Sequence, residues 1–188
     1  MMTRDQILNA AAEIFCLKGY HAASMQDIAG AVNLQKASLY HHVSSKQEIL
    51  LALLDQALEL LTAQILEVAS HDLAPAEKLR QMMHTYLKAL TDNFDLATVL
   101  LMEHRSLDPD LHARHIPYRD RFEALWREVV DEGMQAGDFH GVNTEMSVRS
   151  LLGAMNWTIT WYRPKGELSI EQIADQMADL FLSGLRGQ

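Results

Sequence analysis

The chain has 188 residues, 48% of them hydrophobic and 22% charged, with a formal net charge of −9. That apolar content supports a buried core and excludes an intrinsically disordered chain, and the length accommodates a small module plus a larger body. The charge is uneven: residues 1–47 hold four cations against three carboxylates, a net of +1, and the other 12 cations and 22 carboxylates leave −10 on the remainder. An acidic body is repelled by a phosphate backbone and would orient the weakly basic N-terminal part toward it.

The first predicted helix runs from about Thr3 to Lys18, with Thr3 and Gln6 in capping-box positions and Gly19 as its stop. It contains Cys16, the single cysteine, which can form no internal disulfide and reads as a buried structural thiol. Residues 24–46, SMQDIAGAVNLQKASLYHHVSSK, carry the most specific signal. Ser24 and Asp27 form a capping pair for a short helix with apolar Ile28, Ala29 and Val32 on its buried face, and Gly30 and Ala31 allow a second helix to cross closely. Asn33 tolerates left-handed backbone angles and Leu34 is expected to anchor the corner in the core. A second short helix is predicted from Gln35 to about His42, and Ser45 caps a much longer one. Two short helices around a tight turn, the second polar and exposed, fit a major groove.

The exposed face of that second helix offers Gln35, Lys36, Ala37, Ser38, Tyr40 and His41. Gln35 can bond adenine bidentately, and Lys36 can reach guanine or a phosphate. Ser24, Tyr40, His41 and Lys46 are expected on phosphates, contacts that position without specifying sequence. Lys36 and Lys46 are both expected to be exposed. A charge of +1 is weak for DNA, so two such heads acting together are implied, with affinity that falls as salt rises.

The ordered series Lys18-Gly19-Tyr20, Ser24, Ile28-Ala29, Tyr40-His41-His42 and Ser45-Lys46 resembles the DNA-binding end of the TetR/AcrR family of bacterial transcriptional regulators, over about the first 50 residues. Val43 stands where that family more often has Phe. The resemblance implies backbone contacts at Tyr40 and Lys46, a helical ligand-binding body and a homodimer on a palindromic operator.

The remainder reads as helix after helix. The one after Ser45, to about Ala69, has apolar residues at 50, 54, 57, 58, 61 and 65. Pro75 begins another, with Leu79, Met82, Tyr86, Leu87 and Leu90 on one face and a break at Asp92-Asn93. A shorter apolar segment, Leu96 to His104, follows; Pro109 and Pro117 are expected to bracket an irregular stretch before a helix from Tyr118 to Gln135. Thr144 is predicted to cap a helix to about Tyr162, and Ser169 with Gln172 the last one, Ile170 to Leu185. The expected fold is all-α, about nine helices, with a helix-turn-helix head at 1–47 and an effector-binding and dimerisation body at 48–188. The stripes Ile170, Ile173, Met177, Leu180, Phe181 and Gly184, and Val148, Leu151, Leu152, Met155 and Ile159, suit a dimeric four-helix bundle built from the last two helices.

No enzyme motif is present: no nucleophile elbow, phosphate loop or HExxH. Nine histidines invite a metal reading, but His41-His42 diverge and Asp108, Asp110, His112 and His115 follow no ligand motif, so no metal or cofactor is expected. A ligand is expected instead. Trp157 and Trp161 share a helix face, Tyr86 and Met102 could join them in an adaptable apolar wall, and Arg105 and Arg119 lie in a basic cluster that suits an amphipathic anion. The run Asn156-Trp157…Trp161-Tyr162-Arg163-Pro164…Gly166 is similar to TetR-type regulators of fatty-acid and steroid-ring breakdown, which implies an acyl-CoA thioester as effector. The alternatives are a multidrug-type regulator whose carboxylates, such as Glu103 and Asp95, take lipophilic cations, or an all-helical interaction protein that does not use its DNA-binding motif. With no membrane-length apolar run and no signal-peptide pattern, a cytoplasmic repressor is expected.

Overall fold

The computed structural model describes residues 3–141 and 143–186. Among these residues there are nine α-helices, one 3-10 turn and no strand. The helices are α1 (Arg4–Lys18), α2 (Met25–Ala31), α3 (Lys36–Leu39), α4 (Lys46–Ala69), α5 (Pro75–Asp92), α6 (Phe94–Glu103), α7 (Pro109–Ala136), α8 (Thr144–Trp161) and α9 (Ile170–Arg186), with the 3-10 turn His104–Ser106 between α6 and α7. They divide into two compact units, residues up to 59 with 93–119, and 60–92 with the residues from 120 onward. The head boundary expected at residue 47 falls inside the first unit, which also takes in α6 and the start of α7.

In the first unit, α1 starts in a complete capping box: Thr3 Oγ1 accepts the Gln6 N–H at 3.3 Å, and the Gln6 side chain accepts the Thr3 N–H at 2.9 Å. It ends at Gly19, whose φ of 77° and N–H bond to Phe15 O (2.8 Å) close the last turn. One face of α1 (Ile7, Ala11, Phe15) packs with Ile28 and Ala29 of α2 and Val99 of α6 in a core from which water is excluded. Asn33 holds the turn between α2 and α3 at φ 54°, as expected of Asn, but Leu34 is half-buried rather than a core anchor. That role belongs to Leu39, fully buried and the sole buried residue of α3. Truncating such a side chain costs about 2–5 kcal/mol, so Leu39 is what fastens this four-residue helix to the protein.

The second unit is built around α5, which packs against α9 and α8. The predicted α5 face, Leu79, Met82, Tyr86, Leu87 and Leu90, is buried throughout. So is the predicted stripe of α4, Leu50, Leu54, Ala57, Leu58, Leu61 and Ile65. One sequence expectation needs amending here, because α4 is long and apolar enough by composition to cross a membrane. Most of its apolar residues instead form core, although Leu66 is exposed, and Asp55 and Glu59 interrupt the run.

Two further expectations are corrected. The stretch between Pro109 and Pro117 is not irregular: α7 runs unbroken for 28 residues with Pro117 inside it. Pro109 occupies the first helical position, where no N–H is needed. The interior Pro117 removes one backbone bond, a cost of about 3 kcal/mol. Beside it the helix is tied to α4 by His115 Nδ1, 2.7 Å from Asp55 Oδ1, and by Arg114, 3.4 Å from Glu48. Helix α8 is capped by Asn143, whose Oδ1 accepts the Met146 N–H at 2.9 Å, so Thr144 is its first helical residue and not the cap. Helix α9 is capped as expected, Ser169 Oγ accepting the Gln172 N–H at 3.3 Å.

Helix α7 also contains a close approach. A Cβ on Gly133 would stand 2.1 Å from the Phe139 ring, which is itself buried. Gly133→Ala is therefore expected to destabilise the protein by about 1–3 kcal/mol, even though Ala is the better helix former by about 1 kcal/mol. Urea unfolding checks this: an unchanged or raised midpoint would contradict the packing of Phe139 on α7.

Candidate functional site

The surface proposed to meet DNA is built on α2, α3 and the start of α4. Ser24 caps α2: its Oγ accepts the Asp27 N–H at 3.1 Å and donates to Asp27 Oδ2 at 2.7 Å, and its own N–H reaches the same oxygen at 2.9 Å. The hydroxyl expected on a phosphate thus already has a structural partner. Asp27 is also held by Lys18 at 2.7 Å, and this ammonium, with the Ser24 hydroxyl and N–H, keeps its carboxyl well below the usual carboxylate range.

Helix α3 is shorter than the predicted Gln35–His42. Regular helix spans Lys36–Leu39, and the chain then tightens through bonds from His41 N to Ser38 O (3.2 Å) and His42 N to Leu39 O (3.0 Å). Gln35, Lys36, Ala37, Tyr40 and His41 are exposed on it and Ser38 is half-buried. Tyr40 is 46% exposed, enough to present its hydroxyl while part of the ring packs. The structure brings these six residues together on one short segment that Leu39 pins from beneath.

Lys46 differs from expectation. It is half-buried, and its Nζ donates to Tyr20 O and to Ala23 O, both at 2.7 Å, while lying 4.2 Å from the centre of the Tyr20 ring. It therefore ties down the loop between α1 and α2 and is not a free cation awaiting a phosphate. The same loop is gripped from α6, where Glu103 Oε1 accepts the Tyr20 N–H at 3.0 Å and Glu103 Oε2 accepts the Ser106 hydroxyl at 3.1 Å. Gln47 links α4 to the same turn, donating to Ser106 O at 2.8 Å and accepting the Asp108 N–H at 3.1 Å. Tyr20 itself is buried edge-on against Phe15, 5.3 Å between ring centres. Burial, with the charge of Asp108 next, pushes its phenol up. Sequence reasoning missed Glu103 and Gln47 in this role; their partners are backbone groups distant in sequence, which leave no local pattern.

The expected effector wall is only partly assembled. Tyr86 is buried, its hydroxyl donating to Asn156 Oδ1 at 2.6 Å, and burial drives its phenol far above the ordinary range. Around it stand Phe122 at 5.5 Å and Trp126 at 5.7 Å between ring centres, both buried and both unforeseen. Trp157 and Trp161 are not part of that cluster's interior: they are 64% and 45% exposed, on the side of α8 opposite its buried residues Val148, Leu151, Met155 and Ile159. The helical period explains the error, since the buried stripe of α8 is completed by Thr158, which bonds Met155 O at 2.7 Å and needs no solvent. Met102 and Arg105 are exposed at the end of α6 and in the 3-10 turn, and Arg119 is exposed on α7. Burial first, and then the charges of Arg105 and His112, press the His104 pKa down, while further along the chain Arg114 pairs with Glu48 and the buried His115 with Asp55. Among the described residues no three His, Cys, Asp or Glu side chains are placed to hold a metal ion, and His115 is bonded to Asp55.

The stripes assigned to a dimer interface are also redistributed. Val148, Leu151, Leu152, Met155, Ile159, Ile170 and Ile173 pack inside their own unit. The outer faces of α8 and α9 expose Met146 (58%) and Leu180 (72%) beside a groove of about 370 Å³ lined in part by Ser147, Ser150, Phe181 and Gly184.

Residues 7–53 match the family described as bacterial regulatory proteins, tetR family, and residues 72–185 match the tetracyclin repressor-like C-terminal domain. PfmR, a TetR-family regulator of Thermus thermophilus, is 37% identical with a TM-score of 0.88, the match covering 97% of this chain and all of that one. AibR, solved in complex with isovaleryl coenzyme A and operator DNA, is 30% identical with a TM-score of 0.88, over 94% of this chain and 96% of its own. The repressor KstR2 of Rhodococcus jostii is 26% identical over 97% of this chain and 90% of its own length.

Three outcomes follow from this geometry. Lys36→Ala should weaken DNA binding by about 1–3 kcal/mol if Lys36 reads a base, or lower the salt slope by about one if it meets a phosphate, without moving Tm; Lys46→Met should lower Tm and DNA affinity together. Equal Tm in Lys46→Met and wild type, by calorimetry, would contradict the tethering role. For Asp27 the sign is that of a depressed carboxylate: its stabilisation is present above its unfolded pKa of about 4 and fades as pH falls through the lower folded value. Asp27→Asn should therefore be less stable than wild type at pH 7, and the gap should narrow on acidification; a gap constant with pH in a melting series would refute this.

Proposed function

Because the chain belongs to the TetR family of bacterial transcription regulators, we propose that it is a homodimeric repressor whose grip on a palindromic operator is released by an acyl-CoA thioester. The observation that carries the effector class is the likeness, along nearly the whole chain, to AibR in its complex with isovaleryl coenzyme A and operator DNA. Helix α3, with Gln35, Lys36, Ala37, Tyr40 and His41 exposed, is the element that enters the major groove, and Tyr40 and Ser38 position it on the backbone. Such a regulator works in the cytoplasm, where its operator is.

Two heads must meet successive major grooves about 34–36 Å apart, or a multiple of it. The exposed Met146, Trp157, Trp161 and Leu180 on α8 and α9 supply apolar surface for pairing the subunits, with Gly153 and Gly184 leaving open space for close approach. Trp157 and Trp161 thus serve the pairing of subunits, and Tyr86 the effector side. Release is a population shift. Lys46 and Glu103 hold the loop ahead of α2 from α4 and α6, so a thioester that favours another setting of those helices draws the head out of register. Turning a 99:1 population into 1:99 takes a differential affinity of about 5.5 kcal/mol. The lipophilic-cation alternative loses one of its carboxylates, since both oxygens of Glu103 already accept hydrogen bonds, from the Tyr20 N–H and the Ser106 hydroxyl.

Fluorescence anisotropy on the chain's own upstream DNA tests this. Salt-sensitive binding by dimers, reversed by isovaleryl-CoA or palmitoyl-CoA and not by lipophilic cations such as tetraphenylphosphonium, is expected; binding indifferent to thioesters would refute the effector. Leu180→Glu should yield monomers in sedimentation and weaken operator binding at least tenfold. A dimer that survives that charge would place the interface elsewhere.

A further inference from the structure

Trp126 lies in α7 with its side chain shut off from solvent, and its indole Nε1–H has no hydrogen-bond partner among the described residues. Buried donors are almost always paired, so one that is not calls for a ligand or an ordered water. The surroundings define what the partner can be. Trp126 stands edge-on to Tyr86 at 5.7 Å and 6.2 Å from Phe122, and the Tyr86 proton is committed to Asn156 Oδ1 at 2.6 Å. The indole nitrogen donates only, so its partner must carry a lone pair. An anionic oxygen would have to shed its hydration among three aromatic rings, and a lipophilic cation such as tetraphenylphosphonium offers no acceptor at all. A neutral carbonyl flanked by hydrocarbon meets both conditions.

We propose that Trp126 Nε1–H is the specificity-determining donor for the effector and takes the thioester carbonyl of the acyl-CoA. The assignment rests on the acyl-CoA reading above and sharpens it. Free carboxylates are disfavoured by burial of their charge among the rings, and cations without a lone pair by having nothing to offer the donor.

The test is the indole region of a proton–nitrogen spectrum of the full chain, with the Trp126 resonance assigned by its loss in Trp126→Phe. In the free protein that proton should resonate upfield, as for an indole without an acceptor, and isovaleryl-CoA should move it downfield. Replacing Trp126 by benzothienylalanine, which keeps the shape and deletes the N–H, should weaken isovaleryl-CoA about tenfold in calorimetry, with folding verified by its melting curve. A downfield, exchange-protected resonance in the free protein would show a resident acceptor and overturn the proposal. If wild type binds isovaleryl-CoA and releases DNA while the resonance stays still and the analogue binds equally well, the Trp126 assignment falls and the acyl-CoA reading stands. If wild type binds neither isovaleryl-CoA nor palmitoyl-CoA, both fall.

Discussion

A single ammonium organises the DNA-binding head. Lys46, on the first turn of α4, bonds the carbonyls of Tyr20 and Ala23 and lies against the Tyr20 ring. Those carbonyls belong to the loop between α1 and α2, which has no helical ladder to satisfy them, and a part-buried carbonyl left unpaired costs about 1–3 kcal/mol. The loop ends at Ser24, the cap of α2, so its placement sets where α2 begins and, through the Asn33 turn, where α3 points. Glu103 closes the grip from the other side by taking the Tyr20 N–H. One residue of the head, Tyr20, is thus held by side chains from two helices far along the chain.

Much of the fold was legible in the sequence because its signals are local. Thr3-Gln6, Ser24-Asp27 and Ser169-Gln172 form the caps their spacing predicts, and the 3.6-residue stripes of α4 and α5 are the buried ones. The failures are places where tertiary contacts decide. Pro117 reads as a helix breaker, yet α7 continues through it beside the His115–Asp55 and Arg114–Glu48 pairs. Lys46 beside a helix start reads as an anion site until its two carbonyl partners, over 20 residues away, are known. The spacing of Trp157 and Trp161 shows that they share a face but not which face is buried. Trp126 left no signal beyond an aromatic spacing of four from Phe122.

The same separation of local and distant constraints divides the labour of function. Contact with DNA, in the function proposed above, rests on α3, an exposed polar segment fastened by Leu39, with a head charge so slight that two copies must act together. Control needs contacts that one small molecule can bias. The polar ties around Tyr20 suit this because each is a short, directional bond that a modest displacement would break, whereas the apolar core of the head would survive such a movement. An effector with no preference between the two arrangements would shift nothing, however tightly it bound.

The central question is whether an acyl-CoA thioester changes the setting of the heads. With Cys16 replaced by Ser and Gln26, exposed on α2, replaced by Cys, spin labels on the two subunits of the dimer report the head-to-head distance by pulsed electron resonance. One narrow distribution on operator DNA, and a displaced one when isovaleryl-CoA releases that DNA, is the predicted result. Release accompanied by an unchanged distribution would contradict it.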